Sequence, residues 1–229
     1  MLIDGRKVLY SIKSKKVVYP EIPTEGLVCY LDARGKTNKD KHKGTLIDLS
    51  GNGNHGTLQN FNFTEGSGYE NGGLRFDGID DSVLGGPSYN LSTPAFTYMV
   101  EFTINKTAKE QSANIALGMG VYIHSANNFI YCGGTTNVSG NTHVPVNVAV
   151  GKHKVIIAYT KDFTDAEFFI DGVRYTAINT TDAQGIPYTH KGVVDGRFSV
   201  LWFGEKIISK QAIWDRRLSE LEIQQLLID

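Results

Sequence analysis

Apolar and polar residues alternate along much of this chain with the period of two that a half-buried strand requires. The clearest run is Phe96 to Ile104. Phe96, Tyr98, Val100, Phe102 and Ile104 share one face, and Thr97, Met99, Glu101 and Thr103 share the other, so one core face and one mostly polar face are predicted. Leu27, Cys29 and Leu31 pattern a strand over residues 27–32. Further strands are predicted at 115–117, 121–124, 129–132, 144–150, 153–159, 166–170, 198–203 and 211–214, and Asp171-Gly172 closes a tight hairpin to Val173-Arg174-Tyr175. About a dozen strands at hairpin spacing, without helices between them, predict an antiparallel sandwich.

The single helical signal lies at the end of the chain. Ser219 is placed as an N-cap, Glu222 three residues on completes a capping box, and Leu218 with Ile223 forms a hydrophobic staple across it. Ile223, Leu226 and Leu227 make an apolar stripe on a helix too short to hold without a surface to pack on. The fold class expected is therefore all-β, an antiparallel two-sheet sandwich with one short C-terminal helix.

Residues 1–25 read differently from the remainder. A tiny hairpin about Asp4-Gly5 and a basic knot of Lys13, Lys15 and Lys16 lead into Tyr19-Pro20-Glu21-Ile22-Pro23, which prolines hold extended. Residues 1–25 are expected to be an N-terminal arm or linker, as an edge strand or as a docking segment for a neighbouring subunit, and residues 26–229 to be one domain.

Composition narrows the function. Net charge is −1, so no bulk field draws nucleic acid or an anionic membrane. No apolar run approaches a membrane span, and the first residues lack the apolar core of a secretion signal, so a cytoplasmic start is expected. Cys29 and Cys132 fit no metal or redox spacing and read as buried thiols. The loop bearing Lys36, Lys39, Lys41, His42 and Lys43 reads as solvated surface.

Candidate chemistry is sparse. Glu167 and Asp171 are the nearest approach to a glycosidase carboxylate pair, but Asp171 is a turn residue, and Glu101 stands alone on its strand; each reads as a surface carboxylate. No catalytic residues and no metal ligands are assigned, and the chain is expected not to be an enzyme. Asp32, Asp48, Asp77, Asp80 and Asp81 cluster in turns, where they build turns through their own backbone; no cofactor is expected, with a structural calcium as the alternative. His55 is expected to hold its turn and His153 to pack at a strand start. Sugar recognition needs aromatic faces beside amide and carboxylate groups. Tyr122, His124, Asn127, Asn128 and Tyr131 along a hairpin, with Trp202 in a late strand, are the candidate ligand-binding residues; the alternative is that the strand aromatics are core.

Several segments carry a resemblance. Gly26-Leu27-Val28-Cys29-Tyr30-Leu31-Asp32, the loop Asp48-Leu49-Ser50-Gly51-Asn52-Gly53-Asn54-His55-Gly56, Phe76-Asp77-Gly78-Ile79-Asp80-Asp81, Ile170-Asp171-Gly172-Val173 and Leu218-Ser219-Glu220-Leu221-Glu222-Ile223 resemble, in order, the laminin-G-like, concanavalin A-like jelly rolls of bacteriophage structural proteins. Lys210 departs from that pattern where relatives carry an acidic or polar residue, which argues against a calcium there. The resemblance implies a virion module of tail, baseplate or head fibre, assembled in a host cytoplasm. Its implied partners are other virion proteins through residues 1–25 and a host-surface glycan, with no nucleic acid or membrane partner, in a homo-oligomer. A purely structural assembly protein and a glycan-cleaving enzyme on the same scaffold are the rival readings.

Overall fold

The computed structural model describes residues 22–85, 95–106, 143–144, 146, 148–160, 164–178 and 204–228 with their side chains, and elsewhere the backbone of several short strands. The principal strands are β1 (Leu27–Asp32), β2 (Thr45–Leu46), β3 (Gly56–Gln59), β4 (Gly68–Glu70), β5 (Gly73–Phe76), β6 (Ser82–Gly85) and β7 (Phe96–Ile104). They continue with β8 (Ala113–Asn114), β9 (Val121–His124), β10 (Phe129–Gly133), β11 (Asn141–Val144), β12 (Gly151–Tyr159), β13 (Glu167–Ile170), β14 (Val173–Thr176) and β15 (Lys206–Trp214). Helix α1 spans Glu220–Leu227.

The predicted antiparallel sandwich is what forms. One broad sheet runs β14–β13–β12–β7–β15. There β15 divides its partners: Lys206–Ile208 pairs with β5, which leads to β4, and Lys210–Trp214 pairs with β1. The facing layer consists of β6–β3–β2 and the four-stranded β8–β9–β10–β11. Leu46, Leu58, Val83 and Val144 of that layer share one core with Cys29, Leu31, Tyr98, Val100, Phe102, Ile157 and Phe168 of the broad sheet. The Asp171-Gly172 hairpin appears as predicted, with φ of 50° and 83° giving the doubly left-handed turn that joins β13 to β14.

The expectation of a polar second face on β7 is corrected. Met99 is fully buried, Thr97 and Glu101 are buried with it, and a second core lies on this side: Ile22, Tyr30, Met99, Ile156, Ala158, Phe169, Ala212, Trp214, Leu218, Ile223 and Leu226. Helix α1 covers the sheet here. Its capping box is complete, with the Ser219 hydroxyl accepting from the Glu222 backbone and the Glu222 carboxylate accepting from Ser219 N–H. Arg216 grips both oxygens of the same carboxylate at 2.9 and 2.6 Å, and this grip lowers its pKa to about 2. Ile22, from the segment expected as an arm, is buried in this second core, and Trp214 Nε1 donates to the Pro23 carbonyl at 2.8 Å.

The loop over residues 48–56 is tied to β1 by its own polar groups. The Asp48 carboxylate accepts from the backbone N–H groups of Tyr30, Ser50 and Asn54 and from the Ser50 hydroxyl. Asn52 and Asn54 donate to the Val28 carbonyl, and His55 Nδ1 accepts from Asp48 N–H at 3.0 Å, so His55 does hold this turn. Cys29 is a buried thiol beneath the loop, its Sγ 3.7 Å from the Asn54 carbonyl, and burial raises its pKa well above the usual thiol range. Gly73 lets β5 close on β15, since a Cβ there would lie 2.5 Å from Ile207 Cγ2 and 2.8 Å from the Ile208 carbonyl oxygen.

Magnitudes decide what holds α1. A cap contributes about 1 kcal/mol, whereas each fully buried aliphatic side chain contributes about 1.5–3 kcal/mol. Ser219→Ala is therefore expected to lower stability in urea unfolding by about 1 kcal/mol, and Ile223→Ala by about 2–5 kcal/mol. Equal losses would mean that capping, not burial, retains the helix.

Candidate functional site

Past Met99 and Ile156, the back of the broad sheet turns from apolar to charged. Glu101 lies directly between two lysines in the ladder, opposite Lys154 on β12 and Lys210 on β15. The second alignment depends on a bulge: Glu101 pairs with Lys210 while Phe102 pairs with Ile208, leaving Ser209 as the extra residue. The bulge re-aims the strand so that Lys210 comes to the helix side with Ala212 and Trp214. The displaced Ser209 carbonyl accepts from Ala33 N–H at 2.9 Å.

Glu101 is not the surface carboxylate expected. Its side chain is 3% exposed, with Oε1 at 3.0 Å from Lys154 Nζ and 3.2 Å from Lys210 Nζ, and Oε2 at 3.7 Å from Lys152 Nζ. Burial pushes the Glu101 carboxyl up, but the Lys210 and Lys154 ammoniums outweigh it and hold the group below the usual carboxylate range. Lys154 Nζ also donates to the Leu226 carbonyl at 2.6 Å, so the cation meets the carbonyl end of α1.

The charged row opens into a cleft of about 260 Å³, lined by Glu101, Lys152, His153, Lys154, Asp171, Gly172 and Leu227. The β13–β14 hairpin forms its rim and is latched to β12. The Asp171 carboxylate accepts from Lys154 N–H at 2.9 Å and meets His153 Nδ1 at 2.7 Å. His153 Nε2 lies 2.7 Å from the Ala149 carbonyl. Both ring nitrogens thus face acceptors, an arrangement that suits the imidazolium, which donates twice. Burial pushes the His153 pKa down, yet the Asp171 hydrogen bond and the Ala149 carbonyl outweigh it and the pKa is raised. At the far end of the same sheet Glu167 is ion-paired with Arg174 and Arg217, so it too is engaged rather than free on the surface.

Of the clustered aspartates, Asp77, Asp80 and Asp81 bring one oxygen each within 4.8 Å of one another. Asp81 accepts from the Ser67 hydroxyl and Asp77 N–H, and Asp77 from Ile79 N–H. The nearby cation is Lys206, buried with its ammonium 4.7 Å from the Phe76 ring centroid. Burial lowers its pKa to about 8 against the opposing pull of Asp81 and Asp77. Asp32 pairs instead with Arg34 at 2.7 Å.

The sugar-binding candidates are placed by strand register alone. Tyr122 lies opposite Tyr131, and Tyr131 opposite His143, so these positions form a row across β9, β10 and β11; His124 lies opposite Phe129. Ile130 lies opposite Val144 on the alternate face, and Val144 is fully buried in the main core. Positions 122, 131 and 143 therefore belong to the face turned from that core. Asn127, Asn128 and Trp202 lie outside the described residues, as do the predicted strands at 115–117 and 198–203. The lysines of the charged cleft went unassigned as a site. Their one signal was that Lys152 and Lys154 fall on the same face as Ile156 and Ala158.

No family model matches the chain, and no curated protein sequence does. Solved structures do share its fold. The binding domain of Botulinum Neurotoxin DC in complex with SialylT superposes with a TM-score of 0.60 at 14% identity, over 90% of this chain and 51% of that one. The binding domain of botulinum neurotoxin serotype D gives 0.59 at 11% identity, over 90% and 52%. Trypanosoma rangeli sialidase in complex with sialic acid gives 0.56 at 15% identity, over 90% and 33%. The chain thus spans a third to about half the length of these neighbours, and the likeness defines a jelly-roll-like β-sandwich. The expectation that the chain is not an enzyme is corrected: its fold superposes on a third of the length of Trypanosoma rangeli sialidase, an enzyme, so the fold gives no ground for excluding catalysis.

Two outcomes test the charged row. Glu101→Gln removes the carboxylate set between two buried ammoniums and is expected to cost about 3–5 kcal/mol, whereas Glu101→Leu combined with Lys210→Met restores most of that loss; urea unfolding of both variants reads the difference. For the latch, His153 has a raised pKa, so its contribution is full below the unfolded value of about 6.5 and fades as pH rises through the folded value; Asp171, with a lowered pKa, loses its share only in strong acid. His153→Gln should accordingly cost more stability at about pH 5.5 than at about pH 8.5, and an equal cost at both would rule out the charged latch.

Proposed function

We propose that this chain is a glycan-binding jelly-roll module that receives sugar on the outer face of the four-stranded sheet. The observation that carries the reading is the register row of Tyr122, Tyr131 and His143, on the face opposite Val144. A pyranose ring offers one apolar face and a rim of hydroxyls, so neighbouring aromatic residues with polar tips, spaced as adjacent strands are, match its dimensions. His124, one alternation along β9, extends the same face by register. The neurotoxin binding domain complexed with SialylT and the sialidase complexed with sialic acid lend support as sugar-liganded proteins that contain this sandwich within a longer chain.

A place on a virus particle, with residues 1–25 docking on a neighbouring protein, is the setting suggested by the ordered resemblance of residues 26–229 and the basic, proline-held character of the first 25. The glycan reading stands apart from that setting and is tested first. On a glycan array, Tyr131→Ala and Tyr122→Ala are each expected to reduce retained signal by about tenfold, the loss of one stacking contact, with the thermal melting profile unchanged. An array signal untouched by both substitutions would retire the outer face as the site.

A further inference from the structure

We infer that Asn71 is a site of spontaneous covalent modification, at which the folded chain converts asparagine to aspartate and isoaspartate through attack by the Gly72 backbone nitrogen. The sequence holds two Asn-Gly pairs, Asn52-Gly53 and Asn71-Gly72. A glycine nitrogen is the least hindered backbone nucleophile, because no Cβ stands beside it. Residue order makes the two pairs alike, and the fold makes them different.

Asn52 is held. Its side-chain amide donates to the Leu27 carbonyl at 2.9 Å, to the Val28 carbonyl at 3.0 Å and to the Ser50 hydroxyl at 3.2 Å, and its N–H donates to the same hydroxyl. Its side-chain carbonyl carbon cannot turn toward Gly53 until those bonds break. Asn71 opens the two-residue loop between β4 and β5, with φ of 50° at Asn71 and 76° at Gly72, and Glu70 pairs with Gly73 across it. Both loop residues are exposed, and among the described residues the Asn71 side chain has no hydrogen-bond partner. A Cβ on Gly72 would meet no atom within 4 Å, so the space that ring closure needs is open. The peptide joining Asn71 to Gly72 is the central one of the turn, and it rotates toward the side chain without breaking a ladder bond.

The reaction needs only base and water. The Gly72 nitrogen gives up its proton and attacks Asn71 Cγ; a five-membered imide closes, the bond from Cγ to the amide nitrogen breaks, and ammonia leaves. Water then opens the ring. Addition at Cγ restores the ordinary backbone and leaves aspartate. Addition at the main-chain carbonyl carbon breaks its bond to the Gly72 nitrogen and leaves isoaspartate, whose main chain runs through the former side chain. Nothing is oxidised or reduced. Isoaspartate lengthens a loop whose length sets the strand register, directly before Gly73, which is seated closely on Ile207 and Ile208. The new carboxylate also stands next to Glu70 in sequence. Conversion thus loosens β4, which lies at the edge of the broad sheet.

The test is incubation of the whole chain in mildly alkaline buffer made with heavy-oxygen water, followed by digestion in mild acid and mass spectrometry with fragmentation that separates aspartate from isoaspartate. Asn71 is expected to convert at least about tenfold faster than Asn52, to take up one heavy oxygen and to give both products. In urea the difference between the two sites should shrink. Gly72→Ala, a methyl added into open space, should slow conversion at Asn71 by at least about tenfold and leave Asn52 unchanged. Converted chain, separated by its added charge, should unfold at lower urea than fresh chain. Asn52 reacting as fast as Asn71 in the folded chain, or the full difference persisting in urea, overturns the assignment to the fold. Aspartate without isoaspartate, or indifference to Gly72→Ala, overturns the attack by Gly72, and an unchanged urea midpoint overturns the loosening of β4.

Discussion

Burial of β7 on both faces is the constraint on which the rest of this molecule depends. A strand in one layer of a two-layer sandwich ordinarily shows its second face to water, and polar residues there need no partners. Helix α1 removes that freedom. Once it seals Met99, Ile156, Ala212 and Trp214 from solvent, every polar group on the same side of β7 must find a partner within the protein. Thr97 does so by donating to the Arg216 carbonyl and accepting from Leu218 N–H, which also fixes the chain leading into the helix. Glu101 does so by lying between Lys154 and Lys210.

Charge and bulge at this point form one device. A carboxylate buried alone would be neutralised or would cost several kcal/mol. Without the extra residue at Ser209, β15 would present the opposite face to Glu101, and Lys210 would point into the main core among aromatic rings. The bulge thus lets one strand serve two surroundings: Lys206 and Ile208 face the main core on one side of it, and Lys210, Ala212 and Trp214 face the helix side on the other. It also falls where β15 exchanges β5 for β1, so the change of facing and the change of neighbour share a single irregularity. The cleft follows from this geometry, since the apolar layer under α1 ends where the charged row begins.

Much of the fold was legible in local pattern. The strict alternation of β7, the Asp171-Gly172 turn and the Ser219–Glu222 capping box each rest on neighbours in sequence, and each appears as expected. So does the Asp48–His55 loop, because its hydrogen bonds run mainly within itself and to the adjacent strand. The charged site was not legible for the converse reason. Glu101, Lys154 and Lys210 are separated by more than fifty residues at each step and become neighbours only through strand register, so Glu101 read as a solitary surface group. The tyrosine row was half legible: the aromatic content of residues 121–131 is evident, but the facing of that row follows from Val144 across the ladder.

Residue order alone determined the antiparallel β character, the turn positions and the terminal helix, because each arises from interactions spanning a few residues along the backbone. Only the tertiary structure decided that the second face of β7 is dry, that a bulge sets a lysine against Glu101, and that a cleft opens beside them. Those outcomes depend on which distant segments come to lie side by side, and the energy of a buried charge has no value until its surroundings are assembled.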